Sequence, residues 1–131
     1  MHEWAIANAI IREVESRLKS SLGIRRLRVV LGELQNIDEG VLRQYLDMMM
    51  KEVAPEVDYD IDYEEAVFQC NRCGHTWTLK DVELSDEERE AIHFVPEAVH
   101  AYVKCPRCGS RDFKVVRGRG VRLVYEVEEN A

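Results

Sequence analysis

Two five-residue words constrain this chain more than anything else in it: "CNRCG" at Cys70 and Cys73, and "CPRCG" at Cys105 and Cys108. Each is C-x-x-C-G. A tight turn of this kind points two thiolates at one centre, and the trailing glycine permits the positive φ that follows. Two such knuckles supply four soft sulfur donors, a set that suits tetrahedral Zn(II). Four cysteines saturate the tetrahedron and leave no open position for catalysis. The expected work of the metal is to fold a small domain with few core residues. A lone C-x-x-C could serve as a redox pair, but two matched knuckles with trailing glycines argue for structural zinc, and cytosolic thiols stay reduced. Strand-like flanks, "AVFQC" with "HTWTL" and "AYVKC" with "RDFKVV", complete the layout of a zinc ribbon. His75 is read as a strand residue rather than a ligand.

The remainder has a different pattern. Residues 3–22 read as a helix, with Ala7, Ile10, Ile11, Val14, Leu18 and Leu22 at helical spacing and Gly23 placed to end it. "RRLRVVLGEL" reads as a strand with Leu27, Val29 and Leu31 on one face. Asp38 can cap a second helix, whose apolar stripe is Val41, Leu42, Tyr45, Leu46, Met49 and Val53, with Pro55 just past its end. Met48, Met49 and Met50 point in different directions on a helix and are read as packing residues, not as a metal box. "VDYDIDYE" alternates, with Val57, Tyr59, Ile61 and Tyr63 on one face and four acids on a solvated one. "GVRLVYEVEE" alternates again and has no evident mate among the cysteine-flanking strands. The expected fold is therefore α+β and nested. Residues 1–64, completed by a C-terminal strand in 120–131, form a small α/β domain of two helices on a small mixed sheet. Residues 66–119 form an inserted zinc-ribbon domain with an extended segment at 76–103. Pro96 interrupts any helix that would carry His93 and His100 on one face.

Charge narrows the partners. The net charge of −7 opposes binding to phosphate backbones. Seven basic residues gather between Lys104 and Arg122, and six acids between Asp81 and Glu90. A small basic patch on an acidic body suits a protein partner at least as well as nucleic acid, so nucleic-acid binding is the weaker expectation. No apolar run approaches the roughly 18 residues of a membrane span, and the start lacks the features of a signal peptide. The expected setting is cytoplasmic, with no membrane partner. A metallohydrolase would need an open metal and a poised base, and neither is evident.

The chain opens "MHEW". With no leader to remove, and a large second residue that leaves the initiator Met in place, the α-amine of Met1 is expected to be free. That amine, the His2 backbone nitrogen and an imidazole nitrogen form a compact chelate, and the Glu3 backbone nitrogen can close a square. A square-planar nitrogen set favours Ni(II) or Cu(II) over Zn(II).

"MHEW" leading into an amphipathic helix, "LRVVLGELQNI", the two C-x-x-C-G knuckles and "VRGRGVRL", in that order, resemble the HypA family of hydrogenase maturation nickel chaperones over essentially the whole chain. The resemblance implies a nickel-binding α/β domain, a zinc-ribbon domain, and delivery of Ni(II) to the large subunit of [NiFe] hydrogenase. It implies a HypB-type nucleotide hydrolase as the partner that drives transfer, and no enzymatic activity. By the motif match His2 is the nickel ligand, helped by the Met1 amine and the backbone of Glu3, while Cys70, Cys73, Cys105 and Cys108 hold zinc. One departure stands out. The 31 residues from 74 to 104 exceed the family's common bacterial form and look like its longer archaeal form. They bring further donors, and His93, more than His100, is expected to add a nitrogen to the nickel. The sequence leaves open whether the chain forms a homodimer.

Overall fold

The computed structural model describes residues 3–20 and 23–127, and within them the chain divides into two compact units. Unit 1 takes in residues up to Val30, Ile37–Asp62, and the chain from Arg122 onward. Unit 2 is Leu31–Asn36 together with Tyr63–Val121.

Unit 1 is built from two helices that pack on each other, and from most of a three-stranded sheet. Helix α1 runs Glu3–Ser20 and buries Glu3, Ala7, Ile10, Ile11 and Val14. That is the stripe its period requires, except that Leu18 reaches the exposed side. The expected Leu22 lies outside the described residues. Strand β1 (Ile24–Gly32) follows. Leu27 and Val29 are fully covered, while Arg26 and Arg28 alternate outward. A short 3-10 turn at Glu33–Gln35 ends in Asn36, held at a left-handed φ of 44°. Helix α2 (Glu39–Val53) starts where Asp38 caps it, the carboxylate accepting from the Val41 N–H at 3.1 Å. Its buried face is Leu42, Leu46 and Met50. Val41 is exposed and Met50, not Met49, enters the core, so the stripe is rotated by one residue from the sequence expectation. The three methionines do diverge: Met48 is out, Met49 half-buried and Met50 in.

Strand β2 (Asp58–Glu64) lies beside β1, and the far side of β1 is taken by β6 (Val121–Val127), giving the order β2–β1–β6. The C-terminal strand thus has its mate in this sheet. On the open face Arg26 pairs with Asp60, and Arg28 with Asp62 at 3.2 Å. Two of the four acids of "VDYDIDYE", Asp60 and Asp62, are thereby neutralised across the strands. Tyr63, expected inside, is exposed.

Unit 2 has its own sheet, β4–β3–β5, from Val67–Cys70 (β3), Thr76–Thr78 (β4) and Phe113–Arg117 (β5). Both pairings are antiparallel, and the β3–β5 register slips between Val67 and Phe68, leaving Val116 as the extra residue of a bulge. Helix α3 (Asp86–Phe94), a 3-10 turn (Pro96–Ala98) and the short α4 (Val99–Tyr102) fill the segment between the knuckles. Here the sequence expectation fails: "AYVKC" is not a strand. Ile92, Val99 and Val103 are all buried, and Val103 N–H bonds back to Val99 C=O at 2.9 Å. Pro96, seated at the start of the 3-10 turn, sets up the helical φ that α4 continues. The chain reaches Cys105 from a helix end. Among the described residues, no helix is long and apolar enough to cross a membrane.

Candidate metal centre

The first knuckle is a turn at the end of β3, and the second a turn reached from the end of α4. Gly74 closes the first and Gly109 the second, both at φ 77°, the left-handed value that their position demands. In the first turn Gly74 N–H bonds to Cys70 C=O at 3.1 Å; in the second, Gly109 N–H bonds to Cys105 C=O at 2.9 Å. The two turns therefore repeat one geometry on one side of the sheet. The incoming strand is fixed by Cys70 N–H, which donates to His75 C=O at 2.8 Å, and by Asn71, whose side chain donates to Asp112 at 2.9 Å.

The four sulfurs converge, all within 4.8 Å of one another. Cys70 Sγ and Cys108 Sγ are 3.6 Å apart, as are Cys73 Sγ and Cys105 Sγ. A tetrahedron with zinc–sulfur bonds of about 2.3 Å has sulfur–sulfur edges of about 3.8 Å. The spacing matches a metal cage and excludes disulfides, whose sulfurs sit about 2.05 Å apart. Backbone donors already point at the sulfurs: Arg72 N–H and Cys73 N–H to Cys70 Sγ at 3.3 and 3.4 Å, Cys108 N–H to Cys105 Sγ at 3.5 Å. Such donors favour thiolate over thiol. The Cys73 N–H, joined by that of Arg72, lowers the Cys70 thiol to about 6 against the opposing pull of desolvation. Cys108 goes the other way, up to about 11: the Ser110 N–H favours its thiolate, but desolvation and the three neighbouring cysteines outweigh it. Four like charges in one small volume cannot all form unaided. A divalent cation would resolve that conflict, and the donor set fits zinc.

Under the cage lies an aromatic cluster. Phe68, Trp77 and Phe113 meet pairwise with ring centroids 5.4 to 5.7 Å apart. Phe113 stands opposite Cys70 in the ladder, and Trp77 opposite Phe68. The core that supports the knuckles is thus three rings, Cys70, Cys105 and a few aliphatics, which is slender for a unit expected to stand alone.

The histidines separate. His75 lies just ahead of β4, its ring stacked 6.2 Å from Trp77. His100 is exposed and stacks on Phe113 at 4.6 Å. His93, on the last turn of α3, is half-buried beside a cavity of about 200 Å³, together with Glu33, Arg89 and Ile92. Its Nδ1 is covered and has no hydrogen-bond partner. Among the described residues, no histidine joins the sulfur cluster. Of the N-terminal donors, Met1 and His2 lie outside the described residues; Glu3 is buried at the start of α1.

One feature of the unit went unread in the sequence. Gly32, Ala66 and Gly118 bring three backbones together. A Cβ on Gly118 would lie 2.5 Å from Ala66 N and 2.8 Å from Glu65 C, and one on Gly32 2.5 Å from Gly118 C. Polar side chains lock this crossing. Glu33 accepts from Ala66 N–H at 2.9 Å, Glu64 from Gly118 N–H at 3.1 Å, and Gln35 from Gly120 N–H at 2.6 Å. The sequence signal was the "GRG" of residues 118–120 together with Gly32, which otherwise interrupts a strand.

Known proteins place the arrangement. Residues 1–127 match the family model described as "HypA: Hydrogenase/urease nickel incorporation, metallochaperone, hypA". The chain is 47% identical over 126 residues to the hydrogenase maturation factor HypA of Thermococcus gammatolerans, covering 92% of this chain and 91% of that one. It is 44% identical over 128 residues to that of Pyrococcus furiosus, covering 94% and 92%. The solution structure of the Ni metallochaperone HypA from Helicobacter pylori aligns with a TM-score of 0.57 at 20% identity, covering 97% of each chain, and shows the shared fold.

Proposed function

The chain belongs to the HypA family of nickel-incorporation metallochaperones, and on that premise we propose that it carries Ni(II) on its first three residues and hands it on for maturation of the [NiFe] hydrogenase large subunit. The whole-length match to proteins named hydrogenase maturation factors carries this reading. The nickel donors are the Met1 α-amine, His2, and the backbone nitrogens of His2 and Glu3, with His93 adding a further nitrogen. Nickel is cargo and zinc is resident. Cys70, Cys73, Cys105 and Cys108 hold the zinc, whose two positive charges stabilise four thiolates and so tie the two knuckles together. The work divides with the two units: the first serves the nickel, and the second, Leu31–Asn36 with Tyr63–Val121, is the zinc module.

No covalent step is needed. The nickel donors bind only when deprotonated, so a nitrogen site loosens on protonation and yields to a competing ligand set. A HypB-type nucleotide hydrolase supplies the drive for that exchange, in the cytoplasm. The basic stretch does not favour a nucleic-acid role, since Arg119 pairs with Glu97 and Arg111 donates to Ala101 C=O.

The test is a Ni(II) titration, by absorbance and heat, of the native chain and of one with a single Gly added before Met1. The extension moves only the α-amine. Tight one-to-one binding to the native chain that is lost in the extended one is the expected result. Equal binding in both refutes the N-terminal chelate. Nickel spectra of His93→Ala, with and without the hydrolase, decide whether His93 contributes.

A further inference from the structure

One cavity of unit 2 has opposite charges on its walls and no ion pair between them. It lies where α3 packs against the 3-10 turn at Glu33–Gln35, and its volume is about 200 Å³. Both elements belong to the same unit. The floor is apolar: Leu34 and Ile92 are core residues, and Leu79 and Leu84 pack against them half-buried. Arg89 lines the cavity from α3, whose start is fixed by the capping box of Ser85 and Glu88. The other acids of that helix serve a separate surface, where Asp86, Glu87 and Glu90 lie beside Phe94. Among the described residues, the Arg89 guanidinium has no ion pair. Glu33 lines the same cavity from the turn. Its Oε1 accepts from Ala66 N–H at 2.9 Å, and its second oxygen has no partner among the described residues.

A free guanidinium and a free carboxylate oxygen over an apolar floor are the recognition elements of a small zwitterion. A purely anionic ligand would meet Glu33, and a purely cationic one would meet Arg89. A residue inside a peptide chain offers neither charge. The volume is that of about six or seven waters at about 30 Å³ each, room for an amino acid of leucine's size. We propose that this cavity binds a free aliphatic α-amino acid. Its carboxylate lies on Arg89, its ammonium on the open oxygen of Glu33, and its side chain over Leu79, Leu84 and Ile92.

The test is a methyl ¹H–¹³C NMR titration of the zinc-loaded full chain with L-leucine, run without nickel so that the result is independent of the nickel reading. Two analogues separate the charges: 3-methylbutan-1-amine lacks the carboxylate, and 4-methylpentanoate lacks the ammonium. The expected result is saturable shifts at the methyls of Leu34, Leu79, Leu84 and Ile92, with a Kd of about 1 mM, within reach of a ligand of this size. Each analogue should bind at least about tenfold more weakly, as should L-leucine to Arg89→Gln, since each loses a charge-assisted contact. Arg89 is exposed, so its replacement should leave the fold intact, and the methyl spectrum without ligand checks that. Glu33→Gln keeps an acceptor for Ala66 N–H and removes only the charge. It should weaken L-leucine and relieve the exclusion of 4-methylpentanoate. Shifts that rise without saturation would reduce the cavity to a water-filled dent and overturn the proposal. So would equal affinity for L-leucine and either analogue, or an Arg89→Gln chain that binds L-leucine as the native chain does.

Discussion

Replacing Gly118 by alanine tests the three-backbone crossing at the base of the zinc module. Two costs add. Gly118 sits at φ 92°, where an L-residue with a Cβ loses about 1–2 kcal/mol. The new methyl would also lie 2.5 Å from Ala66 N and 2.8 Å from Glu65 C. These are backbone atoms, so no side-chain rotation relieves the clash. Backing the strands apart would break the bonds of Ala66 N–H to Glu33 and of Leu34 N–H to Gly118 C=O, at 2.9 and 3.0 Å. Overpacking of this kind costs about 1–3 kcal/mol, bringing the total to about 2–5 kcal/mol. That is a large share of the roughly 5–15 kcal/mol that holds a domain. Gly120→Ala supplies the control. It has a similar φ of 85°, yet nothing lies within 4 Å of its added Cβ, so it should cost only the conformational part, about 1–2 kcal/mol. Gly32→Ala supplies the complement, with the clash against Gly118 but an ordinary φ of −70°. The assay is urea unfolding of the zinc-loaded chain, followed by Trp77 fluorescence in a Trp4→Phe background, Trp4 being the other tryptophan of the two. If Gly118→Ala and Gly120→Ala agree within about 0.5 kcal/mol, the normal scatter of surface substitutions, then the close approach does not exist and the reasoning fails.

Cys70→Ser should abolish stoichiometric zinc binding and shift Trp77 emission toward that of a solvated indole, because the Phe68–Trp77–Phe113 cluster is too small to hold the unit alone; retained zinc with unchanged emission would count against a metal-dependent fold. The Cys70 thiol is depressed in the fold, so its contribution to stability is complete above the unfolded thiol's pKa of roughly 8.5 and is lost as pH falls through about 6. Tyr59→Phe should cost about 1 kcal/mol in unit 1, since the hydroxyl donates its one proton to Asp47, with Arg43 C=O 3.3 Å away; no change in urea midpoint would mean that bond only replaces water. Nickel binding at the N-terminus should fade below about pH 6.5, the unperturbed histidine pKa; calorimetric titrations at two pH values showing equal affinity would contradict it.

How much of this was legible in the sequence depended on how local the cause was. The α1 stripe as far as Val14, the Asp38 cap and the knuckle glycines are set by neighbours within four residues, and the structure has them where the pattern put them; Leu18, at the end of the stripe, is exposed. A capping box lies in "SDEE" at the start of α3: Ser85 Oγ accepts from Glu88 N–H at 3.1 Å and Glu88 accepts from Ser85 N–H at 2.9 Å. The segment before Cys105 misled because "AYVKC" has strand composition. Its conformation is decided by Pro96 upstream and by burial of Val99 and Val103 four residues apart. The choice of Met50 over Met49 turns on a rotation of α2 that only its packing partners fix. The crossing of Gly32, Ala66 and Gly118 was beyond reach: Gln35 and Gly120, which help lock it, are 85 residues apart in the chain.

The two proposed metal sites must not trade ions, and their chemistry predicts that they do not. Among the described residues, the only cluster of three or more metal donors is the four cysteines. Thiolate sulfurs have high intrinsic affinity for nickel as well as zinc, and in the Irving–Williams order nickel and zinc lie close. Selectivity must therefore come from geometry. The knuckle turns hold the sulfurs at cross-knuckle separations of 3.6 Å, near those of a tetrahedron. A square-planar nickel would have to flatten that arrangement against the hydrogen bonds that Arg72, Cys73 and Cys108 N–H groups make to the sulfurs. The nitrogen chelate proposed at Met1–Glu3 has the opposite preference. Zinc-loaded protein incubated with excess Ni(II) should accordingly keep one zinc per chain and show no sulfur-to-nickel charge-transfer absorbance, while the Gly-extended chain, lacking the chelate, should take up no tightly bound nickel. Zinc displaced with the appearance of a thiolate–nickel band would show that the cage is pliable, and that the separation of resident from cargo metal rests on supply rather than on structure.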